Sequence, residues 1–558
     1  MPDARGGDVE DGARALRVLP WLAFALGVAP LARGFPAGHD WLYELVRVAE
    51  YGAAIGAGQY PPYWSPNLYA GYGSPVFVFY APLFSAGAAF FTELSGTVTS
   101  GATAMLVLAS ALSVFTMRGF LADLLATCGA RDAAAARVGT VFFVLHPYVL
   151  GDKLVRNADA EFLALCLAPI ALRGVVIARR RPLAAFAAIS GGLAAVVLAH
   201  NLTALVVVAF ALGTGFAVHG LRDRRAWTVI LSGVAAGLAL SAFFWLPALA
   251  LTGLIRPEEL LRDKLDFHHQ FPPLQKIFWY VRFFATGLAT PVVLVTGAVA
   301  AVRHPDKRRI LVSLLAAAAA LLFLQTSASE LVWEIVPMLP FFQFPWRMMG
   351  PLAWVASALA ALLFSAAFAG ASAKRRTAIE LLAFGLLVLN ALPILAQYAP
   401  FSARLAAVVP VIVSPEIIRR GAETVTLGDE YLPRASDLAV WHEQRPIEGP
   451  VVAASAPVQW RTVVDRGTRI ELETTSPSAA RLRLARFAWP DWRVEIDGAE
   501  RAFVANATGT LELEVPAGSA RVRVWLEPPR LRRAALWISA LSLVAWLVGL
   551  GVGYVQRP

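Results

Sequence analysis

The segment 179–225, RRRPLAAFAAISGGLAAVVLAHNLTALVVVAFALGTGFAVHGLRDRR, decides the fold. Two uncharged runs, 183–199 and 202–219, lie between its arginine groups and are separated only by His200 and Asn201. A run of about 18 residues is long enough to cross a hydrocarbon core of about 30 Å as a helix. Because arginines collect in cytoplasmic loops, we predict two antiparallel spans with His200 and Asn201 on the outer face.

The same pattern extends over the whole chain. Its 558 residues are 58% hydrophobic and only 16% charged, and the mean hydropathy is +0.59. This composition is far from that of a soluble globular protein and indicates a polytopic α-helical membrane protein with about twelve transmembrane helices. The predicted spans are 14–33, 101–120, 136–151, 160–178, 183–199, 202–219, 226–249, 286–303, 309–326, 350–370, 378–397 and 534–554.

The charge distribution excludes some functions. The net charge is +10, but the basic residues gather in alternate short loops, so membrane topology explains them better than nucleic-acid binding does. Membrane lipids are the expected partners, and both termini are expected in the cytoplasm. Two cysteines, Cys128 and Cys166, are too few to imply a disulfide framework. Acidic residues before the first apolar run favour an uncleaved helix over a signal peptide.

The run VFVFYAPLFSAGAAFFTEL, 76–94, is apolar enough for a further span, but counting it would break the alternation of basic loops. With Pro75, Pro82 and many aromatic residues, we interpret it as a re-entrant or interfacial segment. It belongs to a predicted outer loop, 34–100.

A second change of character comes after residue 398. Apolar and polar residues alternate in RIELET, RLRLARF, WRVEI, TLELEV and RVRVWLE, and Asp497-Gly498 is a typical hairpin turn. We predict a small extracytoplasmic β-sandwich-like domain before the last helix. The predicted units are a transmembrane domain, 1–398, a β-rich domain, 399–532, and a C-terminal transmembrane helix, 533–558.

Carboxylates crowd the start of the outer loop, in GHDWLYELVRVAE, 38–50. Apolar residues recur with helical spacing from Leu42 to Ala49, which predicts an amphipathic helix along the membrane interface. Asp40 stands at its start, either only as an N-cap or as an acid held ionised for chemistry. The charged residues on another side of this helix are Glu44, Arg47 and Glu50.

Two further clusters fall near the predicted outer face. GDKLVRNADAEFLAL, 151–165, contains Asp152, Arg156, Asp159 and Glu161, which form either a solvated loop or the wall of a polar cavity at the membrane boundary. In PFFQFPWRMMG, 340–350, a single arginine follows four aromatic residues. That arginine, Arg347, either snorkels to lipid headgroups or grips a phosphate with its planar fork.

Metal and nucleotide motifs are sparse. No P-loop, dinucleotide fingerprint, H-E-x-x-H or G-x-S-x-G motif occurs in a convincing context. His268 and His269, with Asp263 and Asp266 close by, are a candidate metal site, but two adjacent histidines cannot both easily face one ion.

Segments covering nearly the whole chain resemble the GT-C superfamily of membrane glycosyltransferases, and more closely its bacterial branch known as "6-pyruvoyl-tetrahydropterin synthase-related" membrane proteins. Nothing here resembles the soluble pterin enzyme. The matching segments are HDW (39–41), GQYPPYWSPNLYAGYGSPVFVFYAPL (58–83), LHPY (145–148), VRNADAEFLAL (155–165), AHNLTAL (199–205), AFFWLPAL (242–249), QFPWR (343–347), GDEYLP (428–433) and FAWPDWRVEIDG (487–498).

The resemblance implies an inverting glycosyltransferase that takes a sugar from a polyprenyl phosphate. Asp40 would be the general base, and Arg156 and Arg347 would bind the phosphate. Glu161 matches an acidic position of the branch, while Asp159 departs from its usual uncharged run, so both stay open as catalytic acids. The donor and acceptor pocket is expected to include His39, Trp41, Glu44, Tyr63, Tyr72, His200, Asn201 and Gln343.

The implied acceptor is an envelope glycan, lipid or protein on the periplasmic or extracellular face of a bacterial inner membrane. No cofactor is certain, and a divalent cation, Mg²⁺ or Mn²⁺, is an open alternative. Two other functions stay open: a lipid or sugar transporter, which predicts ionisable residues and broken helices near mid-membrane, and a non-catalytic scaffold that binds envelope polysaccharide.

Overall fold

The computed structural model describes residues 15–271, 287–305, 307–420, 429–437 and 449–555. Helices dominate the chain up to residue 420, and the strands follow. The short segments between helices include several single 3₁₀ turns. Part of the matched segment 428–433 and the first residues of the predicted spans 14–33 and 286–303 lie outside the described residues.

Eight helical stretches of the described residues are long and apolar enough to cross a membrane. They are Leu16–Arg33, Val98–Thr127, Asp159–Ile177, Pro182–Ala199, Asn201–His219, Pro345–Phe368, Ala373–Leu395 and Arg530–Val552. Three bent pairs bring the number to as many as eleven if each pair is one span. They are Ala133–Val144 with Pro147–Arg156, Arg224–Leu240 with Ala242–Leu254, and Arg308–Phe323 with Ser327–Ile335.

Every predicted span falls on one of these helices or on Ala289–Arg303, a shorter apolar helix of 15 residues. The prediction of many apolar helices is therefore confirmed, and the number twelve stays a prediction. The remaining helices are Trp41–Gly56, Val76–Phe79, Leu83–Ser95, Ala403–Ile412 and Pro415–Arg420.

The segment 76–94 is helical but interrupted. It forms Val76–Phe79 and Leu83–Ser95, and the second helix packs against Val98–Thr127. At Gly101, a Cβ atom would come within 2.4 Å of the Ala88 carbonyl oxygen, so only glycine permits this close packing. The break agrees with a segment that is not one straight span, and its depth in the membrane stays a prediction.

The helix predicted from the periodicity of 38–50 is present as Trp41–Gly56, but its polar side does not lie free at an interface. Glu44, Arg47 and Glu50 are 2%, 5% and 0% exposed. Glu50 accepts hydrogen bonds from the side chains of Ser65 and Asn67, which come from later in the outer loop. These partners bury the charged side of the helix within the protein, and the position of the helix along the membrane interface stays a prediction.

The strands of the β domain are β1 Val451–Ala454, β2 Gln459–Asp465, β3 Arg469–Ser476, β4 Ala480–Phe487, β5 Trp492–Ile496, β6 Ala499–Arg501, β7 Val504–Ala505, β8 Thr510–Val515 and β9 Gly518–Leu526. They form two antiparallel sheets, with strand orders β1-β4-β8-β7 and β2-β3-β9-β5-β6. Inward residues of both sheets belong to one hydrophobic core, as the predicted sandwich requires.

All five sequence segments predicted as strands are strands, and Asp497-Gly498 connects β5 to β6 with both φ angles positive, at 51° and 83°. In the described part of the chain, the strands occupy only Val451 to Leu526 of the predicted β-rich unit, 399–532. Helices Ala403–Ile412 and Pro415–Arg420 precede them. The domain boundaries themselves stay a prediction.

An aromatic junction, which we define as the contact of loop 58–80 with the β domain, joins the two parts. The Phe487 N–H donates to the Tyr72 carbonyl at 3.1 Å, and the two rings stack with centroids 5.2 Å apart. Trp64 meets Trp492 edge to face at 5.6 Å. Tyr63 donates to a carbonyl of β9 at 3.2 Å. The matched segments 58–83 and 487–498 are therefore in direct contact.

Candidate active site

The start of the outer loop lies along the end of the Pro147–Arg156 helical segment. The backbone N–H groups of His39 and Asp40 donate to the carbonyls of Val155 and Arg156 at 3.1 and 2.9 Å. Asn157, in a left-handed conformation with φ 57°, ends this segment and turns the chain into the Asp159–Ile177 helix. These bonds bring the first two carboxylate clusters of the sequence together.

Asp40 occupies the N-cap position of Trp41–Gly56, but its side chain makes no capping hydrogen bond. The capping alternative is therefore wrong in its geometry, and the half-buried carboxylate is available for another role. The Asp40 carboxylate is close enough to Arg156 and Asp159 to interact electrostatically with both. Burial raises the pKa of Glu44, the adjacent Arg47 guanidinium opposes this, and the Asp40 charge reinforces it.

Arg156 is the centre of a buried ionic network. Its guanidinium contacts Asp152, lies 3.4 Å from Glu161 Oε2, and donates to the Tyr148 hydroxyl at 3.1 Å. Tyr148 in turn donates to Glu161 Oε1 at 2.7 Å. The Trp346 ring covers the guanidinium at 4.3 Å, which favours a desolvated cation.

A second arginine reaches the same acid from a distant segment. Arg347 Nε lies 3.4 Å from Glu161 Oε2, and its NH1 donates to the Phe342 carbonyl at 3.1 Å. Gln343 sits in the turn before it with φ 61°, and its amide donates to the Leu260 carbonyl at 3.2 Å. Glu161 is therefore shared between two guanidinium groups.

A small pocket opens beside this pair. His200 lies in its wall at the N-cap of the Asn201–His219 helix, where its Nδ1 is 2.8 Å from the Thr203 hydroxyl. Asn201 is exposed next to it. The lining residues are Glu161, Leu165, His200, Thr203, Val206, Phe342, Arg347, Met348 and Pro351. Arg347, Glu161 and the His200 imidazole therefore face a cavity whose other walls are mostly apolar.

Asp159 differs from the other acids of the site. It is 0% exposed, and neither carboxylate oxygen has a hydrogen-bond partner. Asp152 Oδ2 and Glu44 Oε2 are likewise buried without a partner. Buried polar groups are normally paired, so unpaired ones point to a role other than stabilisation.

The metal alternative has partial support in this region. Unpaired carboxylate oxygens suit a cation in charge, but no three candidate ligand atoms of Asp40, Glu44, Asp152, Asp159 and Glu161 lie within 4.8 Å of one another. Mg²⁺ and Mn²⁺ require converging oxygen ligands. The acids as arranged do not fit a resident cation, and no step is assigned to one.

Several predicted pocket residues lie elsewhere. Tyr63 and Tyr72 belong to the aromatic junction, and Trp41 packs edge to face on Phe401 at 5.0 Å. Glu44 pairs with Arg47 in the outer loop at 2.5 Å. No described contact joins any of these four predicted residues to the Glu161 pocket, and Asp40 is not in its lining.

Sequence reasoning missed two residues of the network, Tyr148 and Trp346. Tyr148 bridges Arg156 and Glu161, and Trp346 covers Arg156. Both residues belong to segments that resemble the family, LHPY and QFPWR, and this resemblance was the signal that could have identified them.

Comparisons with protein-family models and with curated proteins give no match. Among solved structures, the chain aligns with an oligosaccharyltransferase of Archaeoglobus fulgidus in the apo form, at 13% identity and TM-score 0.44, over 70% of this chain and 57% of that one. It also aligns with the arabinofuranosyltransferase AftD from Mycobacteria, at 20% identity and TM-score 0.42, over 69% and 26%.

A third structure is the Archaeoglobus fulgidus oligosaccharyltransferase AglB in complex with an inhibitory peptide and a dolichol-phosphate, at 14% identity and TM-score 0.39, over 70% and 56%. The chain thus spans less than two thirds of each of these glycosyltransferases. At these TM-scores the similarity carries no inference about activity.

Proposed function

We propose that the protein is an integral membrane glycosyltransferase that moves a sugar from a polyprenyl-phosphate donor to an envelope acceptor with inversion at the anomeric carbon. The carrying observation is that Arg156 and Arg347, from distant segments, converge on Glu161 beside one pocket. Such a pair suits a phosphate, because planar guanidinium groups bind its oxygens bidentately.

The donor phosphate would replace part of the contact between the arginines and Glu161. As the bond between the anomeric carbon and the phosphate oxygen breaks, negative charge grows on the leaving phosphate. The two guanidinium groups stabilise that charge in a water-poor pocket, where electrostatic stabilisation is strongest. Tyr148 keeps Glu161 and Arg156 in place.

Asp40 is the proposed general base. The acceptor hydroxyl oxygen forms the new bond to the anomeric carbon, its proton passes to the Asp40 carboxylate, and the polyprenyl phosphate leaves with the bonding electrons. The absence of a capping hydrogen bond supports this role, because it leaves the carboxylate oxygens available. Backbone bonding to Arg156 keeps this acid beside the phosphate-binding residues.

The reaction is proposed at the outer face of a bacterial inner membrane, and the positions of the charged groups support the outer face. The Asp159–Ile177 helix carries Glu161 at its start and leads into Arg179, Arg180 and Arg181 just beyond its end. Its 19 residues span about 28 Å, which is long enough for the site and this basic loop to be on opposite sides of a hydrocarbon core. By the positive-inside rule the site is extracytoplasmic.

A lipid or sugar transporter is the second candidate, favoured by the three bent helix pairs and by one buried lysine. The Lys153 ammonium is 2% exposed and donates to the Gly27 carbonyl at 2.9 Å and the Ser110 hydroxyl at 3.0 Å. Buried charge and broken helices are features of transport pathways. A transporter moves the donor lipid without breaking its sugar–phosphate bond.

The test uses purified full-length protein in nanodiscs with undecaprenyl phosphate carrying radiolabelled mannose, glucose, galactose or arabinose. Wild-type protein is expected to release polyprenyl phosphate and transfer the label to envelope glycolipid extract. Asp40→Asn is expected to lower transfer by at least 100-fold, within the range of about 10² to 10⁴ typical of general-base removal. The matched control is Asp263→Asn, an exposed acid in loop 252–271.

Equal transfer by Asp40→Asn and Asp263→Asn would sink the assignment of the base. Movement of intact donor across the bilayer, with no label transferred by any variant, would favour the transporter instead. Labelled glycan bound equally by wild type and Asp40→Asn, without donor cleavage, would favour the polysaccharide-binding scaffold.

A further inference from the structure

One histidine outside the candidate active site faces two carboxylates. His268, in loop 252–271, and Glu330 and Glu334, one turn apart on Glu330–Ile335, place one ligand atom each within 4.8 Å of the other two. His268 Nε2 is 3.8 Å from Glu330 Oε1 and 3.5 Å from Glu334 Oε1. Within the residues that the structure describes, this is the only group of three with such spacing.

These separations suit a small divalent cation. Two ligands about 2.1 Å from a tetrahedral metal are about 3.4 Å apart, so the two distances from His268 Nε2, 3.8 and 3.5 Å, need only a small contraction around an ion. Imidazole nitrogen with carboxylate oxygen is a donor set that Zn²⁺ accepts readily. All three side chains are partly exposed, which gives an ion access from water.

The histidine is already oriented for this role. Asp266 Oδ1 accepts from His268 Nδ1 at 2.6 Å, so the remaining nitrogen, Nε2, is the one directed at the two glutamates. A carboxylate that holds the second nitrogen of a ligating histidine is a recurrent feature of zinc sites, where it fixes the tautomer and the ring direction.

Aromatic packing holds the two segments together without a metal. The Phe267 ring stacks on Trp333 at 5.4 Å, and Trp333 is 0% exposed with its indole N–H bonded to the Leu324 carbonyl. Because Phe267 precedes His268, and Trp333 lies between the two glutamates in sequence, this stack brings the three ligands together. The packing of Phe267 on Trp333 therefore sets the relative position of the two segments that carry the ligands.

We propose that His268, Glu330 and Glu334 bind one divalent transition-metal ion, Zn²⁺ by preference, with water completing the coordination. The ion would fasten loop 252–271 to Glu330–Ile335. In the same loop, the Leu260 carbonyl accepts a hydrogen bond from the Gln343 amide. Gln343 precedes Arg347 by four residues. The site is separate from the proposed glycosyltransferase chemistry and does not depend on it.

The test is equilibrium dialysis of chelator-treated full-length protein in detergent against Zn²⁺ alone, with bound metal measured by mass spectrometry. Wild type is expected to retain one equivalent. His268→Ala is expected to bind at least tenfold more weakly. The matched control, His269→Ala, removes the adjacent exposed imidazole, which is outside the group, and is expected to bind as wild type does.

Co²⁺ provides a second measurement, because its visible absorption reports a site with nitrogen and oxygen ligands. Glu330→Gln with Glu334→Gln is expected to remove this absorption while the elution volume in gel filtration stays that of wild type. Failure of wild type to retain Zn²⁺ would overturn the proposal. An equal loss of Zn²⁺ binding in His268→Ala and His269→Ala would also overturn it, because only His268 faces the two glutamates.

Discussion

Arg347 Nε and Glu161 Oε2 lie 3.4 Å apart, although the two residues belong to helical segments far apart in the chain. The side chains are 15% and 5% exposed, so the ion pair is largely withdrawn from water. A buried pair of this kind is weak evidence for stability, because desolvation offsets much of the attraction. Under the proposed function, the pair holds the Arg347 guanidinium in position for the anionic donor phosphate.

Arg347→Lys is expected to lower glycosyl transfer about 10- to 100-fold, because charge-assisted hydrogen bonds contribute about 1.5–3 kcal/mol. Lysine keeps the positive charge but loses the planar fork that contacts both Glu161 and the Phe342 carbonyl. Arg309→Lys is the control, since Arg309 also donates to two backbone carbonyls, at 2.9 and 2.8 Å, away from the site. Similar transfer rates in both variants would argue against a phosphate-binding role.

Asp159→Asn is expected to raise the apparent melting temperature and to lower transfer. The unpaired buried carboxylate lies among the charges of Glu44, Asp152 and Asp40, and an unsatisfied buried polar group costs about 1–3 kcal/mol. Asp132→Asn should change stability little, because asparagine caps a helix about as well as the aspartate there does. A lower melting temperature for Asp159→Asn would contradict the idea that stability is sacrificed here for function.

Two glycines of loop 58–80 allow the cost of backbone strain to be distinguished from the cost of a steric clash. Gly58 and Gly73 have φ angles of 84° and 85°, but an added Cβ meets nothing at Gly58 and comes within 2.3 Å of Trp64 Nε1 at Gly73. Gly58→Ala should lower the free energy of unfolding by about 1–2 kcal/mol, because alanine disfavours the positive φ angle. Gly73→Ala should cost clearly more, measured by urea unfolding in detergent. Equal costs would show that Trp64 moves aside without penalty.

The β domain should lose stability as the pH rises through about 6. Burial raises the pKa of Asp491 to about 6, so the folded state binds a proton that the unfolded state, with a pKa near 3.9, has released. The stabilising contribution is complete below about pH 3.9 and is lost above the folded pKa, a change of about 2–3 kcal/mol. Asp491→Asn should flatten this slope in urea unfolding followed by tryptophan fluorescence. An unchanged slope would rule Asp491 out as its source.

Much of the fold could be predicted because lipid and water impose simple periodicities. Uncharged runs became helices, and strict alternation found β3, β4, β5, β8 and β9. The strands that sequence reasoning missed are β1, β2, β6 and β7, which are short or exposed; β2, at a sheet edge, has no buried residue to create alternation. The burial of the polar side of Trp41–Gly56 could not be predicted, because its hydrogen-bond partners come from later in the chain.

The candidate site was predictable only as separate clusters. The alternation of basic loops predicted that Asp40, Arg156 and Arg347 lie on one side of the membrane. No spacing could show that the backbone of Asp40 would bond to that of Arg156, or that Arg347 would reach Glu161. Neutral aromatic residues such as Tyr148 and Trp346 have no charge signal, and they stood out only within the matched segments.

The aromatic junction has a practical consequence for handling the protein. Trp64 and Tyr72 are 0% and 2% exposed because the β domain covers them. A shortened chain that stops before Val451 would expose this apolar surface to water, and exposed apolar surfaces promote aggregation. Truncated chains for crystallisation or electron microscopy should therefore retain the β domain. Fluorophores are better attached at the solvent-exposed β5–β6 hairpin.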